Sequence, residues 1–169
     1  MYKNGFTLIE LLVVVMMVAI LTAIAVPQYR RSMDRAKTAE AMQMLPALFE
    51  ARERWAIEHQ CTWSNGSLTN CDDTFGPARL DIESKGSISG NKITTPNFEY
   101  NLVDGKPASA AQACVSAAPV WPKTERNGLK SAKIYYRGDK FSCKDENSGV
   151  ACDILNATPD GEKYRTGCI

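Results

Sequence analysis

A single carboxylate interrupts the longest apolar stretch of the chain. Residues 6–26 read FTLIELLVVVMMVAILTAIAV, in which Glu10 is the one charged residue and neither Gly nor Pro occurs. An unpaired carboxylate at the centre of a membrane-spanning helix costs about 2.5–3.5 kcal/mol on insertion scales, and less near the end of the span, where Glu10 lies. Two interpretations follow. Either the side chain reaches the membrane surface and does nothing more, or it meets a positive partner inside a bundle of helices.

Cysteines form the second chemically distinctive set, and all of them lie beyond residue 60. An even number of cysteines in one part of a short chain is typical of disulfides, which form outside the cytoplasm. Metal-binding cysteines are the alternative, but no C-x-x-C pair occurs, and the single His59 cannot complete a usual Cys/His set. Sequence cannot choose among the possible pairings. Joining the shortest spans first predicts Cys61–Cys71, Cys143–Cys152 and Cys114–Cys168.

Residue types that enzymes use for catalysis are sparse. His59 is the one histidine, and it lies at the end of a helical pattern, where a surface role is far more common than a catalytic one. Asp72 and Asp73 are candidate ligands for a hard cation, but Ca²⁺ usually needs more oxygen ligands than this short run provides. The chain also lacks a Gly-rich phosphate loop. We therefore predict no catalytic residue, no metal site and no cofactor.

The apolar stretch is long enough to cross a bilayer. At about 1.5 Å per residue, residues 6–26 form a helix about 31 Å long, compared with about 30 Å for the hydrocarbon core of a membrane. A cleaved secretory signal would have a shorter apolar core followed by a small-residue cleavage site. Ala23 and Ala25 mimic such a site, but Pro27 and the helical pattern after it indicate that the segment stays attached.

The helical pattern continues beyond Pro27, so residues 27–59 are predicted to carry the helix into a folded domain, with bends at Pro27 and Pro46. Apolar residues at intervals of three and four predict one buried face, formed by Ala41, Met44, Leu45, Leu48, Phe49, Ala51, Trp55 and Ala56. The opposite, polar face carries Glu40, Gln43, Glu50, Glu53 and Arg54. Of these, Glu50 and Arg54 have the spacing of a helical ion pair.

The remaining residues, 60–169, predict short strands connected by polar loops. Residues 61–95 are rich in Ser, Asn, Gly, Asp and Thr and predict a surface connection with at most a short helix or strand. Strands are predicted at residues 98–102, 112–120, 133–136 and 140–143, with the last two forming a hairpin, and residues 144–169 are predicted to be loop. Three or four antiparallel strands need a cover on their apolar face, which the helix can provide. The predicted class is therefore α+β.

The string Gly5-Phe6-Thr7-Leu8-Ile9-Glu10 resembles the processing site of prepilins and pseudopilins. The resemblance implies that residues 1–5 are a leader, which a prepilin peptidase removes after Gly5 before it methylates the new N-terminal Phe6. Members of that family share a Glu and a later Pro at fixed distances from the cleavage site, and Glu10 and Pro27 occupy those positions. The close match covers roughly residues 1–40.

This resemblance also implies a fold, an assembly and a location. The fold is pilin-like, with a long helical spine, an αβ-loop, a small sheet and a disulfide-fastened C-terminal region. Glu10 of one subunit pairs with the Phe6 ammonium of a neighbour, so that the chains form a homo-oligomeric helical filament. The implied partners are inner-membrane lipid before assembly, the prepilin peptidase and the pilus or secretion assembly machinery. The C-terminal domain lies outside the cytoplasm, and the filament is an extracellular pilus or a periplasmic pseudopilus.

One sequence rule disagrees with that orientation. Four cations follow the apolar span, whereas Lys3 alone precedes it, and the positive-inside rule would place the C-terminal side in the cytoplasm. The cysteines and the resemblance both place that side outside, and we give them precedence. The four cations are Arg30, Arg31, Arg35 and Lys37.

We predict a structural subunit of a type IV filament, with a pseudopilin of a type II secretion system as the alternative. The rich cysteine set and the lack of an Asp-Pro-Trp-Gly-like calcium loop favour the pilin. Two alternatives come from other classes: a membrane-tethered binding module that never polymerises, and a tethered enzyme. Nucleic acid is not an expected partner, because Lys133, Tyr135, Tyr136 and Arg137 alternate as in an ordinary strand.

Overall fold

One long helix lies against an antiparallel sheet. Helix α1 runs Leu8–Glu58 as a single helix of 51 residues that contains both Pro27 and Pro46. It joins the two predicted helical segments without a break, and the bends expected at the two prolines stay a prediction. The computed structural model describes residues 7–64, 66–83, 86–104, 114–121, 129, 132–138, 140–144 and 150–155.

The rest of the described chain forms two sheets and two short helical turns. A hairpin of β1 (Thr62–Ser64) and β2 (Ser67–Thr69) follows α1, and a 3₁₀ turn spans Pro77–Arg79. A second sheet has six strands in sequential order, each antiparallel to the next. The short helix α2 spans Val150–Ile154. The six strands are β3 (Ser87–Ser89), β4 (Lys92–Thr94), β5 (Phe98–Asp104), β6 (Cys114–Pro119), β7 (Lys133–Tyr136) and β8 (Phe141–Lys144).

The α+β class is confirmed, but the predicted sheet of three or four strands was too small. Strands β5 to β8 correspond to the four predicted segments. Strands β3 and β4 lie in the polar stretch that was predicted to be a surface connection, and α2 lies in a stretch predicted to be loop. These elements escape the pattern because they are too short to show a period: β3 is an edge strand whose three residues are all exposed, and Ile93 alone is buried in β4.

The core lies between the sheet and the second half of α1. The predicted helix face is confirmed, because Ala41, Leu45, Leu48, Ala51 and Trp55 are all buried, while Met44 is half-buried. Strand β5 alternates between the two faces of the sheet and turns its apolar residues towards this helix face. The buried strand residues that complete the core are Phe98, Tyr100, Leu102, Val115, Ala117 and Ile134.

The predicted solvent face of α1 needs correction at Glu40, which is a half-buried attachment to the sheet. Its carboxylate accepts hydrogen bonds from the Thr95 hydroxyl at 2.8 Å, the Asn97 amide at 2.6 Å and the Tyr100 hydroxyl at 3.4 Å. Those donors lie in β5 and in the residues before it, so a single carboxylate fixes the start of that strand against the helix.

The predicted ion pair between Glu50 and Arg54 is also replaced by a longer-range contact. The Arg54 guanidinium donates to both carboxylate oxygens of Asp81, at 3.1 and 2.8 Å. A planar guanidinium can bind both oxygens of one carboxylate, a geometry that favours this partner over the neighbour on the helix. The pair therefore ties the exposed side of α1 to the loop after the 3₁₀ turn.

Arg52 is a fully buried cation that the sequence analysis did not single out. Its side chain is 0% exposed, and its Nη1 donates to the Leu102 carbonyl at 2.7 Å, where the pairing of β5 with β6 shifts register. Its Nε and Nη2 donate to Glu53 at 3.1 and 2.9 Å, and its guanidinium lies 4.7 Å from the Phe49 ring centre and 4.6 Å from that of Trp63. Burial lowers the pKa of Arg52, and the Glu53 carboxylate opposes that shift. One side chain thus joins α1 to β5 and to the first hairpin.

Two of the three predicted disulfides are confirmed. Cys61–Cys71 closes the hairpin that follows α1, and Cys143–Cys152 ties β8 to α2. In the chain-entropy description, each short closed loop stabilises the folded state by about 2–3 kcal/mol. Cys168 lies outside the described residues, so the Cys114–Cys168 pair stays a prediction.

We expect Arg52→Met to lower the free energy of unfolding by about 3 kcal/mol, because the Leu102 carbonyl loses its donor and Glu53 loses its cation. Urea unfolding of the full chain in detergent, followed by tryptophan fluorescence, measures the change. Arg54→Met is the matched control. Its partner Asp81 is mainly solvent-exposed, so the expected loss is below about 1 kcal/mol. Equal losses in the two variants would contradict the role assigned to Arg52.

Alkaline pH should destabilise the fold through buried tyrosines. Burial, with a smaller contribution from Asp104, raises the pKa of Tyr135 to about 12, and burial raises the pKa of Tyr100 as well. A tyrosine in the unfolded chain titrates near pH 10, so the native state holds the phenol proton more tightly. The contribution to stability is therefore fully present below about pH 10 and is lost as the pH rises towards about 12.

Tyr135→Phe should therefore make the fall in the urea midpoint between about pH 9 and pH 11.5 shallower than in the wild type. Part of the fall in the urea midpoint should remain in this variant, because Tyr100 is still present. Tyr29→Phe is the control, because Tyr29 is 66% exposed and should leave the slope unchanged. A Tyr135→Phe chain with the wild-type slope would exclude Tyr135 as a source of the effect.

Candidate assembly interface

The first half of α1 has no cover from the rest of the described chain. Every residue from 8 to 33 is exposed, and Asp34 is the first buried residue of the helix. The large apolar side chains among residues 8–26 are between 42% (Val13) and 88% (Leu8) exposed. An uncovered apolar surface of this kind marks a site of contact with a membrane or with other proteins.

This half of α1 also meets the length and composition expected of a membrane span. Its most apolar window of 18 residues has a mean hydropathy of 2.8, and none of that window is buried. The core helix of a soluble protein would be mostly covered, unlike this one. Within the described residues, α1 is the one helix that meets the criterion.

A reciprocal pair of side chains caps the N-terminus of α1, and Glu10 is a member of that pair. The Thr7 hydroxyl accepts from the Glu10 backbone N–H at 3.3 Å, while the Thr7 N–H and hydroxyl donate to Oε2 of Glu10 at 2.8 and 2.9 Å. This arrangement is a capping box, which satisfies backbone donors that the first turn of a helix leaves without partners. Glu10 therefore has a role within one chain that neither sequence interpretation included.

The capping box has a recognisable sequence signature. A Ser or Thr followed three residues later by Glu or Gln, just before an apolar run, is the usual pattern, and Thr7 and Glu10 match it. Both sequence interpretations of Glu10 rest on its charge in an apolar stretch, and neither uses its spacing from Thr7. Only Oε2 takes part in the cap, and Oε1 makes no hydrogen bond within the described part of the chain. The cap thus leaves an oxygen available to a partner from outside.

Gly5 and Phe6 lie outside the described residues. Leader cleavage after Gly5, methylation of Phe6 and pairing of Glu10 with Phe6 therefore stay predictions. The structure does place Glu10 in the first turn of the exposed half of α1, next to the start of the described chain. A group at the N-terminus of a second chain would thus meet Glu10 without displacing any packed side chain.

The exposed half of α1 ends where the folded domain first touches the helix. Asp34 is 4% exposed and accepts a hydrogen bond from the Trp121 indole at 3.1 Å. The Lys37 ammonium lies 5.1 Å from the centre of the Trp121 ring. The contact between Asp34 and Trp121 was not predicted, because neither the helix period nor the strand pattern indicates which residues meet at the edge of a domain.

Two residues considered above for catalysis or cation binding, His59 and Asp73, make contacts within the fold. His59 caps the C-terminus of α1, where its ring stacks on Trp55 at 4.1 Å and a ring nitrogen lies 3.0 Å from the Trp55 carbonyl. Asp73 forms an ion pair with Arg79. Across the described residues, no group of three or more His, Cys, Asp or Glu side chains is arranged to hold a metal ion.

Known proteins match both the N-terminal motif and the folded domain. A family model described as the prokaryotic N-terminal methylation motif matches residues 1–26. The fimbrial protein of Pseudomonas aeruginosa is 43% identical over 135 residues, which cover 78% of this chain and 86% of that protein. The type IV major pilin protein PilE1 of Neisseria gonorrhoeae is 37% identical over 132 residues, 76% of this chain and 73% of that protein.

A more distant relative extends the match along the chain. The type IV major fimbrial protein FimA of Dichelobacter nodosus is 27% identical over 157 residues, which cover 85% of this chain and 97% of that protein. No solved structure matches the chain. The likeness to these relatives therefore reaches well beyond the N-terminal motif and into the folded domain.

Proposed function

Because the chain belongs to the type IV pilin family, we propose that it is the repeating structural subunit of a cell-surface filament, joined to its neighbours through the exposed half of α1 and without catalytic activity. The observation that carries the proposal is the apolar window of α1, of which no part is buried although the same helix contributes one face of the core further along. A helix that is apolar all round and uncovered needs an apolar environment, which lipid or a bundle of identical helices provides.

Before assembly, this half of α1 anchors the chain in the inner membrane with the folded domain outside the cytoplasm. Its length matches the bilayer core of about 30 Å. The disulfides Cys61–Cys71 and Cys143–Cys152 support an oxidising location for the domain. Prepilin peptidase then removes residues 1–5 and methylates Phe6, in agreement with the matched methylation motif.

During assembly, neighbouring helices replace lipid around the apolar half. Processing leaves an α-amino group on Phe6 with a typical pKa near 8, and methylation keeps its positive charge. In a surrounding of low dielectric constant, that ammonium and the Glu10 carboxylate of the next subunit attract each other far more strongly than in water. Each charge alone is costly in lipid, so the pair favours one register of neighbouring helices. The capping box uses only Oε2 of Glu10, so Oε1 remains available to the ammonium of a neighbouring Phe6. The cap and the ion pair can therefore form together.

A pseudopilin of a type II secretion system is the second candidate. It would share the N-terminal motif and the anchoring helix, so neither feature separates the two. The relatives described above are a fimbrial protein and two type IV major pilin or fimbrial proteins, which supports the pilin. A filament on the cell surface is the property that discriminates between them.

We expect sheared surface filaments to contain this subunit as a chain that begins at methylated Phe6. The experiment shears intact cells, pellets the filaments and measures the intact mass of the subunit without reduction. A mass that lacks one hydrogen for each cysteine would also report full disulfide formation. The same processed mass found only in the envelope would favour the pseudopilin. An unprocessed chain that begins at Met1 would contradict the proposal and support a tethered module.

Three substitutions separate the charge of Glu10 from its capping role. Glu10→Gln keeps a side-chain acceptor for the Thr7 N–H and hydroxyl but removes the charge. Thr7→Ala removes the hydroxyl that accepts from the residue 10 N–H but keeps the charge. Glu10→Val removes the charge together with the side-chain acceptor and keeps the Thr7 hydroxyl as the N-cap. If the charge pairs with Phe6, filaments are lost or severely reduced in both Glu10 variants and persist in Thr7→Ala. The measurement compares the pelleted filament fraction with the membrane fraction, and all three chains should still insert in the membrane.

The opposite pattern would assign assembly to the cap. Filaments that form normally with Glu10→Gln but fail with Thr7→Ala would show that helix capping matters and charge pairing does not. Loss of a cap costs about 1 kcal/mol, so it should fray the first turn without removing the helix. Normal filaments from Glu10→Val would contradict both roles of the Glu10 side chain, the charge pair and its half of the capping box.

A further inference from the structure

Three arginines lie on α1 immediately after its apolar half. Arg30, Arg31 and Arg35, here called the basic collar, are all exposed. None of them forms an ion pair with an acidic residue of the described chain. Their charge is concentrated within about two turns of helix, so it attracts a negatively charged partner.

The acidic residues of α1 at the height of the basic collar already accept hydrogen bonds from the folded domain. Asp34 is buried and accepts from the Trp121 indole, and Glu40 accepts hydrogen bonds from the sheet. The next acid on the exposed side of α1 is Glu50, about 22 Å beyond Arg35 along the helix. Copies anchored side by side in one membrane present the same residues at the same height. A neighbouring copy therefore offers more arginines there and no accessible carboxylate from α1.

The distances along α1 place the basic collar at the phosphate layer of a membrane. With residues 8–26 in the hydrocarbon core, the Cα of Arg30 lies about 6 Å and that of Arg35 about 14 Å beyond the end of the span. A headgroup layer is about 5–8 Å thick on each side of the core. Helical side chains tilt towards the helix N-terminus, which here is towards the membrane, and arginine is long enough to reach back to the interface. Tyr29, 66% exposed, is an aromatic residue of the type common at this depth.

We propose that the basic collar binds the phosphate groups of anionic phospholipids in the leaflet from which the folded domain projects. This inference rests on the membrane anchoring proposed above. It gives a physical reason for a positive charge on the side of the span that the positive-inside rule would leave poor in cations. The guanidinium groups suit this ligand, because each can bind two phosphate oxygens at once. Assembly into a filament then requires these lipids to be exchanged for other contacts.

The test measures which lipids contact the anchored chain. The full chain is reconstituted in phosphatidylcholine bilayers that contain a minor fraction of phosphatidylglycerol, with a spin label on one lipid or the other. The motionally restricted fraction in the electron spin resonance spectrum gives the relative affinity of the protein for each lipid. We expect at least about a threefold preference for phosphatidylglycerol at low salt, on the basis of the attraction of each basic residue to an anionic surface. The preference should fall towards one at about 1 M salt.

Paired variants assign the preference to the basic collar. Arg30→Gln with Arg31→Gln should remove most of it, while Arg30→Lys with Arg31→Lys should keep most of it because the charge remains. Lys140→Gln with Lys144→Gln removes the same charge from two exposed residues that flank β8 at its two ends, outside α1, and should leave the preference unchanged.

Three results would overturn the inference: no lipid preference in the wild type, a preference that survives in the arginine-to-glutamine pair, or an equal loss in the lysine control. Energy transfer between labelled chains in pure phosphatidylcholine reports contact between copies. If the arginine-to-glutamine pair alters that signal and no lipid preference exists, the collar binds a second copy instead. A chain that fails to float with phosphatidylcholine vesicles overturns the proposed anchoring itself, which is a separate failure.

Discussion

The architecture depends on one continuous helix whose two halves require different surroundings. Residues 8–33 of α1 are exposed and mostly apolar, whereas the second half contributes one face of the core. A stiff helix that joins both halves transmits the position of the domain to the segment proposed to lie in the membrane or the filament. The folded domain must therefore hold the helix in one position and one rotation, or the exposed half would not meet its neighbours in a constant geometry.

Polar contacts fix the position and the rotation of α1 on the domain, because apolar packing alone is not directional. Asp34 meets Trp121 just after β6, Glu40 meets the start of β5, and Arg52 meets the Leu102 carbonyl, so the helix is attached to the folded domain at three heights. Buried or half-buried groups of this kind are costly unless their hydrogen bonds are made. Sliding or rotating α1 would break these three contacts, so they favour one arrangement of helix and sheet.

The features of the candidate interface that lie close together in the sequence were predictable from it. The apolar run, Glu10 and the motif around Gly5 and Phe6 are contiguous, and the Thr7–Glu10 capping signature is visible in the same stretch once it is looked for. Arg52 and Glu40 were not predictable as attachments, since a charged residue on an amphipathic helix is normally solvated. Their partners lie 50 or more positions away, and only the sheet brings those partners to the helix.

The sequence by itself determined the long helix, its buried face and the four longer strands, because each depends on a period along the chain. The two disulfide pairs of the described residues agree with a shortest-span guess that the sequence alone could not select among the alternatives. Tertiary structure decided the rest. Strands β3 and β4 exist because β5 offers an edge to pair with, and their own three-residue runs carry no period. What packs opposite a charged side chain likewise decides whether it faces water or the core. Arg52 is buried and Arg54 is exposed, although both lie on α1.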